Sequence, residues 1–377
     1  MDSSSRPKIA IIAKFPLSYI LSKGKEPEGY HCVWLLALHK LLQHQQQYEI
    51  HWIVPDKSIK HAWTETLHGQ TFHLIPKARM MIGLCTRYAY DRWQIGKAIK
   101  AIKPDLVHAW GTEDCFGLAA SRFPGKKVLS IQGLLVAYAQ RACLAKFEQL
   151  QGRLYEALTV KRFPYITVES EWGAERVKEL NPTANVICWE YSISEYFYTA
   201  RRAISETPTC VIGGNNTPVK NVRCAVAAFS RPELAHVTLY MAGVQPGAYP
   251  DLPSNIVPLG FIPHEKMNDL LASAWALVHP SLADTCPNIV KETRVMGIPA
   301  VVTHDCGAKQ YIINGKSGYI IAPNNVDELV QAVLSMTASR EKNIAMGEYD
   351  RERCRTAISQ ETMMKSLLNI YRSVLSE

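Results

Sequence analysis

PSLADTCPNIVKETRVMG, residues 280–297, carries two carboxylates, Asp284 and Glu292, on either side of a predicted helix start. Pro287 can open that helix, because its missing N–H would be unpaired at the first helical position anyway. Gly297 then ends the helix as a left-handed cap. A helix start suits a phosphate, and a nearby carboxylate suits sugar hydroxyls. The spacing therefore predicts either a nucleotide-sugar site or two acids that only complement a loop and a helix dipole.

The same stretch resembles the E-x7-E region of retaining GT-B glycosyltransferases of the family-4, glycogen-synthase-like kind, also called glycosyl transferases group 1. The segment that follows, residues 297–333, resembles the same family; it reads GIPAVVTHDCGAKQYIINGKSGYIIAPNNVDELVQAV. Asp284 stands where the family mostly has Glu, which keeps the charge and shortens the reach by one methylene. The resemblance implies that Asp284 holds the donor sugar and that Glu292 holds the ribose. It also implies that the helix start receives the diphosphate, through Pro287, Asn288 and Ile289.

A glycine-rich turn, GGNNTPVK at residues 213–220, follows a predicted strand and leads into a helix. Such a turn lets backbone N–H groups approach a phosphate, although Gly-Gly and Asn-rich turns are also common connectors. The family has G-R-x-x-x-x-K here. The resemblance therefore implies that Gly214 contacts the diphosphate and that Lys220 stabilises the leaving group. Asn215 replaces the family arginine and can donate a hydrogen bond without carrying a charge.

GFIPH, residues 260–264, resembles the turn at which the family backbone meets the nucleotide base. Phe261 is a candidate to stack on that base. A buried aromatic at a strand end is the more frequent outcome for such a side chain, so the sequence predicts a buried Phe261.

The N-terminal half resembles the family more loosely. Gly29 is the single glycine of Glu-Gly-Tyr, where the family has a glycine-rich loop facing donor and acceptor. KPDLVHAWG, residues 103–111, resembles P-D-x-V-H-x-H-G, with His108 retained and Trp110 in place of the second His. His108 is by default a core histidine, and a substrate contact is the alternative. Gln132 stands where many members have a His near the reacting sugar; an amide can bind a sugar hydroxyl but cannot shuttle a proton.

Length and composition predict a protein of two domains. A chain of 377 residues is longer than the chains that usually fold around a single hydrophobic core. The N-terminus lacks a signal-peptide arrangement, and no apolar run approaches the length that spans a bilayer. The cysteines are scattered without C-x-x-C pairs. They indicate reduced cytosolic thiols and argue against a metal site, so we expect a cytoplasmic protein without a metal or other cofactor.

Apolar runs that alternate with helical patterns predict an α/β fold with parallel sheets covered on both faces. We expect two Rossmann-like domains of the GT-B fold with a cleft between them. Residues 1–195 would bind the acceptor, and residues 205–350 the nucleotide-sugar. A C-terminal helix, residues 356–377, would cross back to the first domain. The predicted strands are 8–13, 49–54, 105–110, 127–132, 165–170, 209–213, 237–243, 256–260, 275–279, 299–303 and 318–322.

The net charge of +8 is concentrated in the N-terminal half. Residues 76–103 carry seven basic side chains against one acid, and residues 122–162 carry eight against two. Aromatic and methionine side chains lie between them. This pattern is typical of a solvated helix face, of an anionic-lipid surface or of a nucleic-acid surface. No nucleic-acid motif accompanies it, so we expect an anionic membrane surface as partner ahead of a nucleic acid.

The resemblance implies a retaining, metal-independent transfer of a sugar from a UDP- or GDP-sugar to a glycan or lipid-linked acceptor, in cell-surface polysaccharide biosynthesis. The expected location is the cytoplasm or the cytosolic membrane face. One alternative is a nucleotide-sugar epimerase of the same fold, against which Gln132 and Trp110 argue. A catalytically weak binding or partner subunit is the other alternative, left open by Asn215, Asp284 and Gln132.

Overall fold

The chain forms two compact units in a computed structural model that describes residues 6–25, 33–141, 144, 146–214 and 216–377. The first unit comprises Met1–Val136, Ala145–Ser192 and Gln360–Glu377. The second comprises Ala137–Leu144 and Ile193–Ser359. The change from one unit to the other after Ser192 falls close to the predicted boundary at 195. The second unit extends to residue 359, beyond the predicted end at 350.

Fourteen strands in the described residues form two sheets. They are β1 (Lys8–Ile12), β2 (Glu49–Asp56), β3 (Trp63–Leu67), β4 (Gln70–Pro76), β5 (Leu106–Trp110), β6 (Lys126–Ser130), β7 (Tyr165–Val168), β8 (Asn185–Cys188), β9 (Thr209–Gly213), β10 (Thr238–Ala242), β11 (Ile256–Gly260), β12 (Ala276–His279), β13 (Ala300–Thr303) and β14 (Gly318–Ile321).

Seventeen α-helices cover the sheets in the same described ranges. They are α1 (Leu17–Leu21), α2 (Val33–Leu42), α3 (Met80–Cys85), α4 (Ala89–Ile102), α5 (Cys115–Ala120), α6 (Leu135–Arg141), α7 (Lys146–Gln151), α8 (Ala157–Val160), α9 (Glu171–Leu180), α10 (Tyr196–Thr199), α11 (Val222–Phe229), α12 (His264–Ser273), α13 (Asn288–Met296), α14 (Val326–Thr337), α15 (Arg340–Glu348), α16 (Arg351–Ala357) and α17 (Gln360–Ser376). A π-helical turn, Gly152–Glu156, joins α7 to α8. Of the helices described, none is long and apolar enough to cross a membrane.

The sheet of the first unit has the order β3-β4-β2-β1-β5-β6-β7-β8. All neighbouring pairs are parallel except β3 and β4, which form an antiparallel hairpin. The five predicted strands of this half are confirmed, but the sequence prediction missed β3, β4 and β8. The hairpin turn holds His68 and Gly69 at φ +50° and +73°. Positive φ at both central residues suits a tight two-residue hairpin, and a His-Gly pair is a weak signal for it.

Helix α17 packs on the first sheet with one apolar face. Its buried side chains join the same core as Trp52, Leu106, Val128 and Trp189 of the first unit; they are Met363, Leu367, Ile370, Tyr371 and Val374. Trp189 Nε1 also donates a hydrogen bond to the carbonyl oxygen of Met363 at 3.0 Å. The C-terminal helix is therefore part of the core of the first unit.

His108 is a core residue of the first sheet. Its Nδ1 lies 2.8 Å from the Tyr371 hydroxyl, and its Nε2 lies 2.7 Å from Ser130 Oγ. The ring is completely buried, and burial lowers the pKa of His108 to about 3. Both ring nitrogens are hydrogen-bonded within the core. The geometry therefore supports a core role for His108 over a contact with the substrate.

The second sheet is entirely parallel, with the order β11-β10-β9-β12-β13-β14. All six predicted strands of this half are confirmed. Helices α11 and α14 pack on one face, and α12, α13 and α16 pack on the other. From β9 the chain moves outward through β10 to β11, then returns to β12 on the other side of β9. The carboxyl ends of β9 and β12 therefore form a topological switch point, where open α/β sheets bind ligands.

The stability of the first unit should fall as the pH drops below about 6.5. His108 stays neutral when folded, whereas it is protonated in the unfolded chain below its ordinary pKa, so the unfolded state binds more protons between pH 6.5 and 3. The contribution is about 1.4 kcal/mol per pH unit in that window. Urea unfolding followed by tryptophan fluorescence measures it, because seven of the eight tryptophans lie in the first unit.

His108→Asn should remove this part of the pH dependence. Tyr371→Phe is the matched control, since it deletes the hydrogen bond and leaves the histidine buried; it should lower stability while keeping the slope. An unchanged slope in His108→Asn would contradict the assignment.

Candidate functional site

The glycine turn after β9 lies against the start of α13. Gly214 has φ +127°, which favours glycine, and its N–H donates to the carbonyl oxygen of Ala242 at 3.0 Å. A Cβ built on Gly213 would lie 2.3 Å from Ile289 Cδ1. A Cβ on Gly214 would lie 3.6 Å from side-chain carbons of Lys220. The two glycines thus let Ile289 and Lys220 approach the backbone at the end of β9.

Lys220 and Asp284 form an ion pair at this switch point. Lys220 Nζ lies 2.6 Å from Asp284 Oδ2. Two contacts between the loops set this distance. Leu282 N donates to the carbonyl oxygen of Val219 at 2.8 Å, and Asn221 Nδ2 donates to that of Pro280 at 3.0 Å. The sequence predicts separate roles for these two charges, and the structure shows that they are also partners.

The ion pair determines the ionisation of both groups. Burial alone would lower the pKa of Lys220 and raise that of Asp284. The opposite charge outweighs burial in each case, so the pKa of Lys220 is raised and that of Asp284 is held well below its usual range. Both groups are therefore charged at neutral pH.

His279 belongs to the candidate site, although no motif in the sequence predicts it. It is the last residue of β12, and its Nε2 lies 3.2 Å from Asp284 Oδ2. The ring is buried, and burial lowers its pKa, so the neutral imidazole donates Nε2–H to the carboxylate. Its place at the carboxyl end of a central parallel strand was the available signal, because site residues collect at that edge.

Helix α13 begins one residue later than the sequence predicts. Pro287 has φ −66° and ψ 124°, so it flanks the helix as N-cap instead of being its first helical residue. Asn288 and Ile289 form the first turn. Gly297 ends the helix at φ +78°, as predicted. The helix N-terminus therefore adjoins the Lys220–Asp284 pair through Ile289 and the loop that follows Asp284.

Glu292 is buried, with 6% of its surface exposed. It lies one turn after Asn288, on the same side of α13. Helical side chains point back toward the N-terminus, so this carboxylate is directed toward the first turn. The structure thus places Glu292 in the second turn of the helix whose start adjoins Asp284, and its role there stays a prediction.

The prediction of a buried Phe261 is wrong. Phe261 follows β11 directly, and 79% of its surface is exposed. Gly260 has φ +64°, which turns the chain away from the strand direction at that point. The ring therefore projects from the carboxyl edge of the second sheet, which keeps it available as a stacking surface.

Gln132 belongs to the first unit and is bonded to two indoles there. With its amide oxygen facing the rings, it accepts from Trp110 Nε1 at 2.8 Å and from Trp34 Nε1 at 2.5 Å. Trp110, which replaces the second family histidine, is buried. The amide oxygen of Gln132 is therefore held by tryptophans, and its predicted contact with a sugar is untested.

Two predicted site residues, Gly29 and Asn215, lie outside the described residues. Within those that are described, no group of three or more His, Cys, Asp and Glu is arranged to hold a metal ion.

The segment 137–144 of the second unit adds two contacts near the Asp284 loop. Thr285 N donates to the Tyr138 hydroxyl at 3.3 Å, and Arg141 Nε lies 2.8 Å from Asp305 Oδ1.

Solved structures share the fold along nearly the whole chain. Sucrose-phosphate synthase from Thermosynechococcus elongatus matches with a TM-score of 0.77 and 14% identity, covering 98% of this chain and 100% of that one. HepE of Anabaena, in complex with UDP and glucose, matches with a TM-score of 0.67 and 12% identity, covering 97% of this chain and 100% of that one. WaaG, a glycosyltransferase involved in lipopolysaccharide biosynthesis, matches with a TM-score of 0.65 and 15% identity, covering 96% of this chain and 99% of that one. The fold is that of the GT-B glycosyltransferases.

Residues 207–339 match the family described as Glycosyl transferases group 1. This segment contains the glycine turn, Lys220, Asp284 and α13, so the resemblance seen in the sequence is confirmed for it. A protein of Escherichia coli K12 that is named as a colanic acid biosynthesis glycosyl transferase, WcaC, is 27% identical over 121 residues, 32% of this chain and 29% of that protein. D-inositol 3-phosphate glycosyltransferase of Corynebacterium urealyticum is 25% identical over 112 residues. The alignments span 29% and 26% of the length of these curated relatives.

Lys220 and Asp284 should be energetically coupled in the ligand-free protein. A double-mutant cycle with Lys220→Met, Asp284→Asn and both together should give a coupling of about 1–3 kcal/mol in the free energy of unfolding, because one partner removed alone leaves a poorly solvated charge. Calorimetric unfolding measures it. Arg231 and Asp327, an exposed pair in the same unit, are the matched control and should give about 0.2–1 kcal/mol. Additive effects at Lys220 and Asp284 would contradict the pairing.

Proposed function

We propose that the protein is a retaining glycosyltransferase that moves a sugar from a nucleotide-diphosphate-sugar, a UDP- or GDP-sugar, to a glycan or lipid-linked acceptor. The observation that carries the proposal is the Lys220–Asp284 pair at the switch point of β9 and β12, beside the N-terminus of α13. A cation and a helix start suit a diphosphate, and a carboxylate suits sugar hydroxyls. HepE, solved with UDP-glucose, supports a nucleotide-sugar donor.

In the proposed reaction, donor binding separates the ion pair, and each of its two residues binds the donor instead. Lys220 turns from Asp284 to the diphosphate, and the first turn of α13 donates backbone N–H groups to the same phosphates. Asp284 then accepts hydrogen bonds from the sugar, and the neutral His279 continues to hold its Oδ2. Glu292 binds the ribose hydroxyls. Phe261 stacks on the base.

The bond between the anomeric carbon and the diphosphate oxygen breaks as the acceptor oxygen attacks from the same face. The acceptor proton passes to the departing phosphate oxygen, so no protein base is required. Lys220 supplies positive charge where the leaving group gains negative charge, which is why we propose metal-independent transfer.

We also propose that the acceptor belongs to cell-surface polysaccharide biosynthesis and is reached from the cytosolic face of a membrane. WaaG and WcaC support the biosynthetic setting through their named roles in lipopolysaccharide and colanic acid biosynthesis. The basic excess of the N-terminal half supports the membrane location.

Glu292→Gln should weaken donor binding and leave the fold intact. Removing the charge of a hydrogen-bonded acid costs roughly 1.5–3 kcal/mol, or about 10- to 150-fold in affinity. The measurement is a thermal-shift titration with UDP, GDP, ADP and their sugars, because a ligand that binds only the native state raises apparent stability. Glu341→Gln, at an exposed position of α15, is the control and should bind as the wild type does. Unchanged affinity in Glu292→Gln would remove this acid from the donor site.

Lys220→Ala should lower kcat more than donor affinity, because the negative charge on the diphosphate grows as the bond breaks. We expect a loss of about 10²–10³ in kcat, typical of removing one electrostatic stabiliser. Steady-state donor hydrolysis and transfer at saturating donor give the value, with Lys266→Ala, an exposed lysine of α12, as control. A change confined to KM would mean that Lys220 binds only the ground state. Donor binding by the wild type without hydrolysis or transfer would favour the partner-subunit alternative, and interconversion of two donor sugars would favour the epimerase.

A further inference from the structure

Three arginines of the first unit lie close enough to Arg92 for their charges to act on it. Burial, followed by the charges of Arg122, Arg162 and Arg87, lowers the pKa of Arg92 on α4. Among the described residues none of these four side chains forms an ion pair, and Arg92 Nε has no hydrogen-bond partner. The cluster thus concentrates positive charge that the described part of the first unit does not neutralise.

Large apolar side chains are exposed on the helices beside this cluster. On α3, Met80 and Met81 are each 60% exposed and Ile82 is 55% exposed. Trp93 of α4 is 59% exposed, with Lys97 Nζ 5.8 Å from its ring centre. Leu154 and Leu158, on the π-helical turn and α8, are 46% and 49% exposed.

Tyr155 connects these elements. Its hydroxyl donates to the carbonyl oxygen of Leu84 on α3 at 2.7 Å, and its ring meets that of Tyr88 at 5.7 Å. Arg87 and Tyr88 form the junction between α3 and α4. Helix α3, the start of α4 and the π-helical turn therefore pack around Tyr155, which also lies close enough to Arg92 to act on its charge. We call the exposed sides of α3, α4, the π-helical turn and α8, together with Arg122 and Arg162, the basic–apolar face.

The composition of this face selects among possible occupants. A solvated helix face would not place methionine, isoleucine, leucine and tryptophan outward together. A nucleic acid would meet the arginines but offers little to the aliphatic side chains. A bilayer with anionic headgroups satisfies both, since arginines bind phosphates while apolar side chains enter the acyl boundary.

We propose that the basic–apolar face docks the protein on a bilayer that exposes anionic phosphate headgroups, with Met80, Met81, Ile82 and Trp93 entering the interface. This inference deepens the proposed membrane acceptor and rests on that part of the proposed function. Docking is measured without glycosyl transfer, so the two can fail separately.

The test is co-sedimentation with phosphatidylcholine vesicles, with and without phosphatidylglycerol, at low and high salt. The wild type should partition at least about tenfold more strongly to the anionic vesicles, because each basic residue near such a surface contributes roughly fivefold, and the preference should fade with salt. Arg122→Glu/Arg162→Glu and Met80→Ser/Met81→Ser/Ile82→Ser should each lose at least about tenfold. Lys266→Glu/Lys342→Glu, which changes the net charge equally through exposed lysines of the second unit, should bind as the wild type does.

Equal partitioning to neutral vesicles would overturn the proposal, as would an equal loss in the Lys266/Lys342 control. Retained binding in the Met80/Met81/Ile82 variant would overturn the apolar insertion. Tight binding of the wild type to single- or double-stranded nucleic acid, without vesicle binding, would assign the face to that partner. Donor binding in vesicle-free buffer should be the same in all variants, which separates docking from the donor site.

Discussion

The second unit depends on the hydrogen bonding of β9 to β12. These strands are neighbours in the sheet, yet the chain leaves them in opposite directions, toward β11 on one side and β14 on the other. The loops at their carboxyl ends therefore diverge and leave space between them. Two short backbone and side-chain bonds, Leu282 to Val219 and Asn221 to Pro280, set how far the loops separate. The positions of Lys220, Asp284 and the α13 start follow from that spacing.

Much of the fold of the second unit could be predicted from the sequence, because each of its strands is a nearly continuous apolar run. A strand buried on both faces must be apolar throughout, so its pattern survives without knowledge of its neighbours. The first unit contains the exceptions. Strand β3 is mostly exposed, and β8 is only four residues long and lies at a sheet edge, so neither has the long apolar run of a strand that is buried on both faces. Strand β4 was missed as well, and the positions of β3 and β8 come from their pairing with β4 and β7, which the sequence does not reveal.

The candidate site was predictable in its parts and not in its assembly. Motif resemblance identified Lys220 and Asp284, but they lie 64 residues apart in sequence and their pairing depends on the strand order. His279 was missed because it closes an apolar strand and matches no motif. Phe261 was predicted as buried because aromatic residues at strand ends usually are; a left-handed glycine before it decides otherwise. Tertiary geometry, in each case, supplied what local pattern could not.

Under the proposed function, the Lys220–Asp284 pair would also limit which ligands can bind. Asp284 would compete with the ligand for Lys220, and any anion would have to displace this carboxylate before it could bind. A simple anion would replace the partner of Lys220 only and would leave Asp284 without its cation. A nucleotide-sugar would give each residue a new partner, because its phosphates bind the lysine and its hydroxyls bind the carboxylate. The ion pair would thus make the empty site selective for ligands that carry both groups, and poorly responsive to the phosphate and mononucleotides that are abundant in cells.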